Sequence, residues 1–210
     1  MRRTAVAVLI PVLCALSAAV QAADATRVLP SFIAINAKGA FALTVTVGKA
    51  QSVLVSGEPQ FVSKLQTTVV DNELQIVLPD NAYKGTLKDP RITITLPALS
   101  RVKVEGAGET RLQQINSARL DISYLGAGRL AADGKVQYLR LNAKGVGEVD
   151  ASQLVAERVD VNFEGVGNVS VHATSLLNAV ARGIGGLTYY GHPQTVNKSV
   201  SGIGNVKAGD

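Results

Sequence analysis

Only one cysteine occurs in the 210 residues, Cys14, and it lies within the N-terminal apolar stretch. No disulfide can form inside the chain, so the fold must rest on its core and on backbone hydrogen bonds. Histidine occurs twice, as His172 and His192. Two histidines with no cluster of cysteines or carboxylates around them do not make a metal site, and no metal or other cofactor is expected. Aromatic residues number nine, five Tyr and four Phe, so a surface rich in aromatic platforms is excluded. A strong charge excess is absent as well: 21 basic residues stand against 16 acidic ones, a net charge of +5. Without Arg2 and Arg3 the basic count is 19 and the net charge +3. That excess is too small to support binding to nucleic acid or to an anionic membrane. No long helical periodicity and no low-complexity linker follow the N-terminus.

The N-terminus has the layout of a secretory leader. Arg2 and Arg3 precede an apolar run from Ala5 to Val20, and Val20-Gln21-Ala22 places small residues where a signal peptidase reads. Residues 1–22 are therefore expected to be a cleaved signal peptide, with Cys14 removed alongside. Leu13 stands before Cys14 where a lipidation signal needs a small residue. The run is also too short for a membrane span, so no integral membrane segment is expected in residues 23–210.

What the chain does contain is a repeat. Gly106-Ala107-Gly108, Gly126-Ala127-Gly128, Gly145-Val146-Gly147, Gly165-Val166-Gly167, Gly183-Ile184-Gly185 and Gly202-Ile203-Gly204 follow at intervals of 20, 19, 20, 18 and 19 residues. Two residues before the first glycine stand Val104, Tyr124, Ala143, Phe163, Ala181 and Val200. Four before stand Val102, Ile122, Leu141, Val161, Ala179 and Lys198. Apolar residues alternating with polar ones mark strands with one buried face. The small apolar residue between the glycines is expected to carry the inward phase on to Thr110, Leu130, Val149, Val169, Leu187 and Val206. Five before the first glycine, Arg101, Asp121, Arg140 and Asp160 alternate in sign, as direct neighbours in a parallel stack would to avoid repulsion.

Residues 23–100 are less regular. Short strands are expected in Phe32–Ile35, Phe41–Val47, Ser52–Val55, Val69-Val70, Leu74–Leu78 and Ile92–Leu96. Asp71-Asn72 and Gly57-Glu58-Pro59 carry turn chemistry. A helical turn near Ser63–Thr68 is left open, and Asn81–Asp89 reads as a loop. Six in-phase motifs at this period exclude a propeller and an antiparallel sandwich. The expected fold is all-β, a single-domain right-handed parallel β-helix (solenoid) with rungs of about 19 residues, irregular over 23–100 and regular over 101–210.

At this point the chain resembles a known family, the GIN domain, or auto-transporter adhesin head domain. The resemblance rests on Phe32–Ile35, on Leu74-Gln75-Ile76 after a turn, and on Ile92–Leu99 running into Val102–Gly108. The Gly-Val-Gly-Asn and Gly-Ile-Gly-Asn units complete it. It implies an exported bacterial β-helix in the periplasm or at the cell surface. It supplies no catalytic residues.

The glycines do not make a nucleotide site, since strands rather than a helix follow them. No Ser/His/acid motif of nucleophilic catalysis is present. Tyr190 and His192, in Tyr189-Tyr190-Gly191-His192-Pro193, form a candidate patch for sugar or peptide, with Tyr189 pointing inward. The functional expectation is a non-catalytic binding or scaffold protein of the cell envelope, with an unknown envelope or extracellular partner and no nucleic acid. The alternative is a polysaccharide-active enzyme using Asp121 and Asp160. Self-association through the last repeat is a further expectation, because an uncapped strand edge pairs with other chains.

Overall fold

The computed structural model describes residues 23–79 and 89–209. The expected leader over 1–22, including Cys14, and most of the expected loop Asn81–Asp89 lie outside the described residues. The described chain is all-β apart from one short helix. In chain order it forms β1 (Ala23–Thr26), β2 (Ala34–Lys38), β3 (Ala42–Val47), β4 (Ser52–Gly57), α1 (Pro59–Lys64), β5 (Gln66–Val70), β6 (Glu73–Val77), β7 (Arg91–Leu96), β8 (Arg101–Tyr190) and β9 (Thr195–Ala208). They join in one unclosed sheet of order β1-β4-β7-β3-β8-β2-β6-β5, with β9 paired to β8.

β8 holds 90 residues of strand, with Gln114 at φ 56° among them. A straight strand of that length would run about 300 Å. It is instead divided by its glycines, which lie one motif against the next. A Cβ on Gly126 would stand 1.8 Å from the carbonyl oxygen of Gly106, and one on Gly165 would stand 1.9 Å from that of Gly145. β9 continues the series: it pairs with β8 in parallel from Leu176↔Thr195 to Tyr189↔Ala208, setting Gly183 beside Gly202 and Gly185 beside Gly204. At the other end β2 pairs with Arg101–Glu105 and β3 with Thr110–Gln113, both in parallel. Gly39 thereby meets Gly106, and Phe41 meets Gly108. The segment Gly39-Ala40-Phe41 is thus a seventh copy of the motif, with Phe in place of the second glycine.

The first strands depart from the expected parallel stack. β1 pairs with β4, β4 with β7, and β5 with β6, all antiparallel. The connections explain this. Asp71 and Asn72 both have positive φ, 50° and 59°, and form the two-residue link that matches strand twist in a hairpin. Residues 48–51 between β3 and β4 are too few for a parallel crossover, which needs a dozen or more. The open helical turn is α1, four residues earlier than its expected start, with Pro59 in its first turn and Phe61 fully buried. The Phe61 ring packs against Phe41 at a centroid distance of 6.4 Å. Antiparallel strands and α1 therefore gather at the N-terminal part of the sheet, while β9 carries a single buried residue, Val206.

The core follows the alternation. Val102, Ile122, Leu141, Val161 and Ala179 are buried in one column, and Val104, Tyr124, Ala143 and Phe163 in the next. In the second column the rings of Tyr124 and Phe163 alternate with alanines, which leaves each ring the room it needs at a strand spacing of about 4.8 Å. The inward phase does continue through the motif, but the glycines carry it. The residues between them, expected on the inward side, face out: Val146, Val166, Ile184 and Ile203 are all exposed. The reason is parity. An odd-numbered step from an inward residue always lands on the opposite face of an extended chain.

Candidate functional site

Within each repeat, the fifth residue after the second glycine again faces out. In three successive repeats it is Ser152, His172 and Tyr190, spaced 20 and 18 residues apart. These three side chains, with Gln153, Gly191, His192 and Gly209, line a surface hollow of about 560 Å³. The chain is shaped to make it. Gly191 has φ +81°, and a Cβ there would meet the Ala173 carbonyl at 2.2 Å and the His172 ring at 3.0 Å. No other residue permits β8 to end so close to His172. The Gly209 N–H donates to the Tyr189 carbonyl at 2.8 Å, which brings the last described residue over the Tyr190 ring.

The floor is fixed by hydrogen bonds. Nδ1 of His172 lies 3.1 Å from the Ser152 carbonyl oxygen, which holds the ring along the column. The Ser152 hydroxyl and N–H both donate to Oδ1 of Asp150, at 2.7 and 3.1 Å. The hollow thus offers two imidazoles, a phenol, an amide and a hydroxyl, with no carboxylate among the described residues of its lining. Tyr190 and His192, the expected patch, both lie here. His172, weighed on sequence grounds as a metal ligand and rejected, joins them. Tyr189 packs half-buried against the core, as its register implies. Among the described residues no group of three His, Cys, Asp or Glu side chains gathers as a metal would need.

The expected charge ladder is rearranged. Arg101 pairs with Glu73 at 3.3 Å, and Asp121 pairs with Arg119, two residues back on its own face, at 3.0 Å. Residues i and i+2 of a strand share a face, so a flexible guanidinium reaches along the strand as readily as across it. Asp160 accepts from the Tyr138 hydroxyl and from Nδ2 of Asn178, the latter at 2.7 Å; Asn178 in turn accepts from Asn197 at 2.9 Å. Arg119 and Arg158 stack near the Tyr138 ring at 5.0 and 5.9 Å. Partial burial pushes the Asp160 carboxyl up. The bonds from Tyr138 and Asn178 and the charges of Arg158 and Arg140 outweigh it and hold the group below its ordinary value. A carboxylate held ionised by donors is a poor general acid. Asp121 and Asp160 are therefore each engaged with partners of their own, and the geometry does not pair them. Ion pairs between repeats do occur beside the glycines, Lys144 with Glu164 at 2.9 Å and Arg129 with Glu148 at 3.8 Å.

Among the described residues no helix is long and apolar enough to cross a membrane. No curated protein matches the chain. Among solved structures, one described as a putative adhesin from Bacteroides fragilis is 25% identical over 90% of this chain and 97% of its own, with a TM-score of 0.73. A second, described as a putative lipid binding protein from Parabacteroides distasonis, is 19% identical over 90% of this chain and 97% of its own, with a TM-score of 0.53, and shares the fold. Residues 31–193 match the family described as "Putative auto-transporter adhesin, head GIN domain", and the chain belongs to that family.

Proposed function

We propose that this chain is an exported, non-catalytic binding module of the bacterial cell envelope that holds a hydroxyl-rich sugar in the hollow of Ser152, His172, Tyr190 and His192. Residues 1–22 serve as its cleaved signal peptide. Its parallel-paired strands, from β2 and β3 through β8 to β9, form a single right-handed β-helix. Support for that coil comes from the parallel β8–β9 register at an offset of 19 residues and from the glycine-on-glycine contacts. The observation that carries the binding reading is the hollow itself. Its volume of about 560 Å³ suits a small ligand. Its described lining is rich in donors and acceptors around one amphipathic ring, the chemistry that recognises sugar hydroxyls. The adhesin descriptions of the family and of the Bacteroides fragilis protein point the same way.

The test is calorimetric titration of the full chain with a panel of envelope oligosaccharides. One class should bind, and Tyr190→Ala and His192→Ala should each weaken it at least about tenfold, a loss of about 1.4 kcal/mol. Binding of peptides but no sugar would overturn the ligand class. Turnover of a polysaccharide that disappears in a chain carrying both Asp121→Asn and Asp160→Asn would replace this reading with an enzyme.

A further inference from the structure

The outward-facing residues of the glycine motifs form one apolar line on the surface. Ala107, Ala127, Val146, Val166, Ile184 and Ile203 follow one repeat after another, and the last four are 58%, 46%, 53% and 74% exposed. The line forms an apolar ridge between two outward flanks, the residues two positions before and two positions after each member. At the interstrand spacing its six members span about 24 Å. An exposed aliphatic row of this regularity marks an interaction surface.

Two features identify the occupant. The first is a gradient of size, Ala-Ala-Val-Val-Ile-Ile along the stack. Laid against a copy of itself in the same direction, it would put Ala on Ala at one end and Ile on Ile at the other. In the reverse direction, centred between Val146 and Val166, it puts Val on Val and Ile on Ala throughout, at constant separation. The second feature is charge. A two-fold axis crossing the ridge brings each flank against its own reverse. Lys144 then faces Glu164 of the second copy, and Glu164 faces Lys144 of the second copy. On the same flank Glu105 meets Ser201, and on the other flank Arg129 meets Gly186 and Glu109 meets Asn205, so no like charges oppose. In the parallel arrangement the flanks exchange, and Glu105 would face Glu109.

We propose that this ridge is the interface of an isologous dimer of the chain, its two copies antiparallel about an axis between Val146 and Val166. Isologous contact with reciprocal pairs is the usual form of a two-fold dimer. The strip from one flank to the other is about 13 Å wide. An interface of this size belongs to the weak class, dissociating in the micromolar range or above.

Sedimentation of the full chain over a wide concentration range should show a monomer–dimer equilibrium. Val166→Lys and Ile184→Lys should each abolish the dimer. Lys144→Glu should weaken it at least about tenfold, and adding Glu164→Lys should restore it to within about threefold. Unchanged melting of each variant keeps folding apart from association. Direction is read by oxidation in a C14S background. The pair A107C/I203C should give disulfide-linked dimers, and I203C alone should not, because the two copies of position 203 lie at opposite ends. A chain monomeric at every soluble concentration, association untouched by the ridge lysines, or efficient linkage through I203C alone would each overturn the proposal.

Discussion

Gly185 lies so close to Gly167 that a Cβ on it would stand 1.7 Å from the Gly167 carbonyl oxygen. The same relation recurs up the column, with backbone and not a movable side chain as the obstacle. Substitution therefore meets two penalties at once, a collision with the neighbouring repeat and a positive φ that L-residues avoid. Gly165→Ala, at φ +150° and 1.9 Å from Gly145, should cost about 4 kcal/mol or more. Gly48→Ala, with φ +88° and nothing within 4 Å, should cost only the backbone strain of about 1–2 kcal/mol. Chemical denaturation of the two variants gives the comparison, and equal losses would show that close approach is not what selects glycine.

Tyr124 offers the opposite case. Its hydroxyl is buried and has no hydrogen-bond partner among the described residues, and burial pushes its pKa up. Removing an unpaired buried polar atom relieves a desolvation penalty of about 1–3 kcal/mol. Tyr124→Phe should raise the melting temperature, and a fall would show that the hydroxyl is satisfied in solution.

Acid should act through Asp160. Its folded-state pKa lies below the ordinary value because donation from Tyr138 and Asn178 outweighs the cost of burial. Between the native and unfolded values the unfolded chain binds the extra proton, so stability rises with pH through that window. The contribution is complete above the unfolded value near 3.8 and is lost as pH falls through the lower native one. Asp160→Asn should flatten the acid limb of a stability–pH curve. An unchanged limb would mean that the ladder does not couple to folding.

Overpacking should be felt most where alanine separates the rings. Ala143 is buried between Tyr124 and Phe163 in the sequence of its column. Ala143→Leu should cost about 1–3 kcal/mol, measured by denaturant unfolding, while Ala127→Leu on the exposed ridge should stay within about 0.5 kcal/mol.

The regular repeats were legible because three signals coincided: the glycine interval, the apolar columns before it and the polar residues between. The Asp71-Asn72 turn was legible for a local reason, its αL-tolerant side chains. The copy at Gly39-Ala40-Phe41 escaped, since Phe41 hides the second glycine; Ile35 and Ala37, four and two residues before Gly39, were the surviving signal. Strand direction over 23–100 was not legible, because pairings such as Ser52↔Thr95 join residues far apart in sequence. For the candidate site, Tyr190 and His192 stood out as neighbours in the chain. His172 and Ser152 come from earlier repeats, and they stand beside Tyr190 because all three lie five residues after the second glycine of successive motifs, a column that sequence reasoning did not follow. Tyr138 meets Asp160 at a step of 22 residues, outside the 18–20 intervals that defined the columns.

The covered N-terminal strands and the nearly bare β9 give the molecule a direction in time as well as in space. The hairpin of β5 and β6, the reversing link between β3 and β4, and α1 are made from residues that leave the ribosome first. They can close locally, before any glycine motif of β8 exists. Each later repeat then needs only the edge laid down before it, so the parallel pairings can form in order of synthesis, one template at a time.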